Sequence, residues 1–175
     1  KTRMMVQIAM LTAVAEVLML FDFPLPFAPS FYKIDLSEVP ILIGCFAMGP
    51  AAGIIIEAMK ILLNFIISGT VTAGVGELAN FAIGCSMVLP AGLIYRYHKT
   101  RKNAVLGMAA GTLVMAAIGG LLNAFVLLPA YAALFGGMDA IIGMGTAVNK
   151  NITSVQSFVL LSVVPFNLVK GVIVS

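Results

Sequence analysis

Charge is what this chain has least of. Only 10% of its 175 residues are Asp, Glu, Lys or Arg, where soluble domains carry about a quarter, and the mean hydropathy is +1.10. That excludes an ordinary soluble enzyme. The apolar runs also recur along the whole length, so a secretory leader of about 30 residues does not account for them. The chain reads as an integral membrane protein. Other absences narrow its chemistry. It has no G-x-x-x-x-G-K-[ST] phosphate loop, which excludes ATP hydrolysis by the usual route. Its one histidine, His98, excludes the paired ligands of an H-E-x-x-H metalloprotease. The string GVGELA, 74–79, matches the spacing of a dinucleotide loop, but no strand precedes it and no acid stands about 20 residues later, so it reads as a turn opening a helix. Cys45 and Cys85 lie in apolar runs and read as small hydrophobes, with neither a disulfide nor a metal site implied. The net charge of +3 needs no nucleic acid to explain it, because the basic residues behind it cluster as a topology signal.

What is present is a series of apolar stretches. Residues 4–21 form a first span, interrupted only by Glu16. The next segment, FDFPLPFAPSFYKIDLSEVP, carries Pro24, Pro26, Pro29 and Pro40, which exclude a continuous helix and favour an ordered, extended path. The Gly49–Pro50 break divides the next apolar stretch into a short second helix to about Met48 and a third from Pro50 to about Ile67. Residues 68–76 are turn-like, and Glu77 opens a fourth span to Tyr95. RYHKTRK, 96–102, then breaks the apolar pattern. Asn103–Met138 is free of charge; as one helix it would measure about 54 Å, so the fifth span must tilt or end near Pro129. Residues 136–156 are rich in Gly and Asn and read as a long loop or interfacial segment. The last span begins between Thr153 and Phe166, and the chain is expected to stop inside or just below it. The expectation is an all-α integral membrane protein: one domain over 1–175, a six-transmembrane-helix bundle with a long ordered loop between helices 1 and 2. Lys1, Arg3, Arg96, Lys99, Arg101 and Lys102 fall on one side of such a bundle, which places the N-terminus in the cytoplasm of a cell whose cytoplasmic membrane the chain crosses repeatedly.

Polar groups inside spans cost about 2.5–3.5 kcal/mol each on insertion scales, so each needs a partner, a cavity or an interface. Glu57 and Lys60 are three apart and neutralise each other, or else serve as acid and base of a small intramembrane enzyme. Glu16 snorkels or pairs near the outer headgroups. Lys170 lies one turn after Asn167 in PFNLVKG, with no acid near it in sequence. These two share a helix face and favour a ligand cavity over the alternatives, interhelical hydrogen bonding for Asn167 and pairing with a distant Glu for Lys170. Asn80 and Asn123 add amides that carry both donors and acceptors, suited to a ligand with alternating carbonyls and N–H groups. Phe31, Tyr32, Phe81, Phe125, Tyr131 and Phe166 are available to sandwich a planar ring or to fill core. Small-x-x-x-small pairs, Ala9/Ala13, Gly49/Gly53 and Gly107/Gly111, allow close helix approach, and the Ala9/Ala13 stripe offers a flat face to another protein.

Three strings carry a family resemblance: FPLPFAPSFYKIDLSEVPILIGCFAMGPAAGIIIEAMKILLN (23–64), LLNAFVLLPAY (121–131) and VPFNLVKGVIVS (164–175). Together they resemble the riboflavin-specific S components of energy-coupling factor transporters. The resemblance implies six helices with both termini cytoplasmic and a vitamin bound near the outer face beneath the first loop. It implies that Asn123, Asn167 and Lys170 hydrogen-bond the flavin, with Asn80 a further contact, and that the loop around Lys33 to Glu38 closes over it. Ala9 and Ala13 would dock on a transmembrane coupling subunit driven by two cytoplasmic ATPases, within the membrane lipids. Riboflavin would be transported, not held as a cofactor. An S component for thiamin or biotin, the enzyme using Glu57 and Lys60, and a structural membrane adaptor are the competing readings.

Overall fold

A computed structural model describes residues 2–29, 32–70 and 74–175. Lys1, Phe31 and the centre of the 68–76 turn therefore lie outside the described residues. The chain is mostly helical: α1 (Thr2–Leu20), α2 (Glu38–Met48), α3 (Pro50–Ser68), α4 (Val75–Tyr97), α5 (Arg101–Phe135), α6 (Met138–Val148) and α7 (Val155–Val174). Five of them, α1, α3, α4, α5 and α7, are long and apolar enough to cross a membrane. Between α1 and α2 two short strands, β1 (Phe23–Pro24) and β2 (Lys33–Ile34), pair antiparallel with Phe23 opposite Ile34.

Small residues set the helix spacing. The α2–α3 junction turns at Gly49, whose φ of 103° suits glycine, and Pro50 opens α3 with its ring where no helical N–H is needed. Along α4 and α5 the backbones touch. A side chain on Gly107 would put its first carbon 2.7 Å from the Ala91 carbonyl oxygen, and one on Gly111 would strike Met87. Bundle packing here is backbone against backbone. The main core gathers Ile41, Cys45, Ile56, Met87 and Met115 between α2, α3, α4 and α5. A second core lies under the 21–37 segment, where Ile34, Leu128, Ile141, Ile152, Phe158 and Phe166 meet.

One expectation is corrected and another narrowed. The Gly- and Asn-rich 136–156 segment is not all loop, because Met138–Val148 is a helix. Gly136 and Gly137, both at positive φ, make the break, and Gly145 leaves room for the Phe158 ring, which composition alone does not reveal. Of the two alternatives for the fifth span, ending near Pro129 is ruled out. Asn123–Leu127 widens into a π-turn just upstream of that proline, and the helix continues to Phe135. A second π-turn, Val159–Val163, precedes Pro165 in α7. Proline lacks the N–H and crowds the carbonyl four residues back, and a widened turn absorbs both effects. The two π-turns pack against each other.

Candidate functional site

A cavity of about 650 Å³ opens among α1, α3, α4, α5, α7 and the 21–37 segment. Its volume lies within the range of about 300–1,000 Å³ usual for small-molecule pockets. Asn80, Asn123, Asn167 and Lys170, read from sequence as a set, all line it, as do Tyr32, Tyr131 and Phe166. Of the other aromatics, Phe81 and Phe125 do not line it, and Phe125 is exposed on the outer face of α5.

Two amides are fixed from below in the same way. Asn123 Nδ2 donates to the Gly119 carbonyl at 2.7 Å, and Asn167 Nδ2 donates to the Val163 carbonyl at 3.0 Å, each four residues back along its own helix. Val163 closes one π-turn, and Gly119, whose carbonyl also accepts the Asn123 backbone N–H, lies just upstream of the other. Asn123 Oδ1 further accepts a short hydrogen bond from the Tyr32 hydroxyl, which ties the 21–37 segment to α5. Burial pushes the Tyr32 phenol well above its ordinary pKa, so it remains a neutral donor. Tyr32 also packs on Phe158 and Phe166, with ring centroids 6.3 and 5.3 Å apart. One N–H of each buried Asn remains for a ligand.

Lys170 is buried at the cavity wall, and its partners are carboxylates distant in sequence: Asp35 Oδ2 at 3.5 Å and Glu38 Oε1 at 3.9 Å. Burial raises the Asp35 pKa, but the ammonium groups of Lys170 and Lys60 and the hydrogen bonds from Ser37 outweigh it, leaving the carboxyl below its ordinary value. Glu38 itself does not line the cavity and reaches it through Lys170. Behind it sits Lys60, fully buried, with Glu57 Oε2 at 2.9 Å, Glu38 Oε1 at 3.2 Å and Ser37 Oγ at 3.2 Å. The Glu57–Lys60 proximity read from spacing is thus one half of a larger cluster.

Glu16 is buried, and Asn64 Nδ2 donates to its Oε1 at 3.3 Å across α1 and α3. Asn64 lines the cavity and was passed over in the sequence, although an amide within an apolar helix is the same cue that picked out Asn80. Asp35 and Glu77 line it as well, and their recruitment depends on tertiary folding. Ala9 and Ala13 are exposed on α1, beside a buried stripe that includes Ile8, Thr12, Ala15 and Glu16.

The chain matches the family described as ECF transporter, substrate-specific component, over residues 3–175. It is 35% identical to the riboflavin transporter RibU of Staphylococcus aureus (strain TCH60), over all of this chain and 86% of that one. It is 33% identical to the riboflavin transporter FmnP of Bacillus subtilis (strain 168), over all of this chain and 87% of that one. Among solved structures, the S component of a bacterial ECF transporter is similar with a TM-score of 0.77 at 35% identity, over 99% of this chain and 89% of that one.

Proposed function

We propose, for a chain that belongs to the substrate-specific components of ECF transporters, that it captures riboflavin and serves its uptake across the cytoplasmic membrane. As a transport component it is not an enzyme, and riboflavin is its cargo, with no cofactor required. The observation that carries the reading is the convergence of Asn80, Asn123, Asn167 and Lys170 on one cavity walled by Tyr32, Tyr131 and Phe166. A flavin's pyrimidine edge presents carbonyl, N–H and carbonyl, which side-chain amides match, and its flat rings fit between aromatic side chains. Lys170 supplies donors to a ring acceptor or a ribityl hydroxyl. Glu38 contributes by holding Lys170 from behind.

The chain acts as a single unit over 1–175. Six helices make the bundle, with the 11-residue α2 returning toward the cytoplasmic side after the 21–37 segment has covered the cavity from outside. Arg3, Arg96, Lys99, Arg101 and Lys102 place the N-terminus and the 98–100 turn in the cytoplasm. The exposed Ala9/Ala13 stripe docks on the transmembrane coupling subunit, and two cytoplasmic ATPases drive the release step.

Protein purified in detergent is expected to quench riboflavin fluorescence on binding. Asn167→Ala should weaken that binding tenfold or more while the protein stays folded. Unchanged affinity in this variant would remove the site assignment.

A further inference from the structure

From the middle of the bundle to the cavity wall runs a chain of charges of which only the last two, Lys170 and Asp35, line the cavity. From α3 inward it runs Glu57, Lys60, Glu38, Lys170, Asp35, with successive oppositely charged atoms 2.9, 3.2, 3.9 and 3.5 Å apart. Lys60 meets three oxygens within 3.2 Å: it donates hydrogen bonds to Glu38 Oε1 and Ser37 Oγ and pairs by charge with Glu57 Oε2. Lys170 meets its two carboxylates at longer range, and among the described residues it makes no hydrogen bond. Both lysines approach the same Glu38 oxygen, Oε1.

We infer that Lys60 is a positioning residue for the ligand site: by occupying Glu38 it stops that carboxylate from drawing Lys170 off the cavity, so the Lys170 donors stay free for the ligand. Three carboxylates face two ammonium groups here, so the cluster has no positive charge to spare. Removing Lys60 leaves Glu38 with Lys170 as its sole near cation in the cluster. At buried separations of 3–4 Å such attraction dominates over the weaker dipoles of a neutral ligand. Removing Glu57 acts the other way, since Lys60 then turns wholly to Glu38 and the charges balance. Gly84 supports the arrangement, because any side chain there would collide with the Glu57 carboxylate.

The inference rests on the riboflavin reading, and the test separates the two. Riboflavin fluorescence quenching is measured with wild type, Lys60→Met, Glu57→Gln, Lys170→Met and the Lys60→Met/Lys170→Met double variant, with thermal unfolding recorded for each. Lys60→Met is expected to weaken binding tenfold or more, yet to change it less than twofold once Lys170 is already Met. Glu57→Gln is expected to keep affinity within threefold of wild type, which covers the case in which Lys60→Met does not fold. A Lys60→Met variant that binds like wild type, an equal loss in the Lys170→Met background, or a tenfold loss in Glu57→Gln would each overturn it. Wild-type protein that leaves riboflavin unquenched would remove the ligand reading itself, and the positioning role with it.

Discussion

Lys60 and Lys170 share the Glu38 carboxylate, yet one is enclosed by oxygens at 2.9 to 3.2 Å and the other meets its acids at 3.5 and 3.9 Å. Both are buried cations in a lipid-facing bundle, and on composition they are equivalent. Their coordination separates them. A buried ammonium closed in by hydrogen-bonded and charged oxygens is part of the architecture; one held by charge alone, at a cavity wall, keeps its donors for something else. The intramembrane-enzyme reading of Glu57 and Lys60 fails on the same ground, since neither lines the cavity and the family is a transport component.

The comparison can be broken most severely at Lys60. Lys60→Met strands the buried Glu57 carboxylate, and losing one partner of a buried ion pair costs about 3–5 kcal/mol, to be seen as a large fall in Tm in detergent. A smaller effect is expected from Gly84→Ala, which pushes a methyl group onto Glu57; overpacking of this kind costs about 1–3 kcal/mol and should lower Tm without removing the cavity. Lys170→Ala sharpens the contrast, because it should weaken riboflavin at least tenfold, about 1.4 kcal/mol, with a smaller change in the Tm of the ligand-free protein than Lys60→Met. If Lys170→Ala destabilises the protein as much as Lys60→Met does, the two lysines are not different in kind.

The smallest expected effect is on pH. Asp35 has a depressed folded-state pKa, so its contribution to stability is fully present above its ordinary value of 3.8 and is lost as pH falls through the lower folded value. Tm should therefore hold steady from neutral to mildly acidic pH and drop only in strong acid. Asp35→Asn should flatten that acid limb, as followed by thermal unfolding across a pH series.

Much of this was legible in the chain. Long apolar runs gave the spans, and the Gly49–Pro50 break placed the α2–α3 junction where it lies, because glycine and proline act locally. Asn80, Asn123, Asn167 and Lys170 were legible as a set, since an amide or ammonium in an apolar helix needs a reason wherever the bundle puts it. What escaped notice is tertiary. Nothing in the spacing of Asp35 and Lys170 says that they meet, and the Tyr32 bond to Asn123 joins residues on opposite halves of the chain. The α6 helix was missed because glycine favours loops in isolation, whereas Gly145 is there to admit a phenylalanine ring.

The paired π-turns leave this protein sensitive to a kind of change that point substitutions do not test. Each holds one residue more than a regular turn, and one helical residue corresponds to about 100° of rotation. Deleting Leu160 would let α7 run as an unbroken α-helix and swing Asn167 and Lys170 together away from the cavity, with hydropathy and span length almost untouched. A single-codon deletion there should yield a protein that inserts, folds and carries nothing.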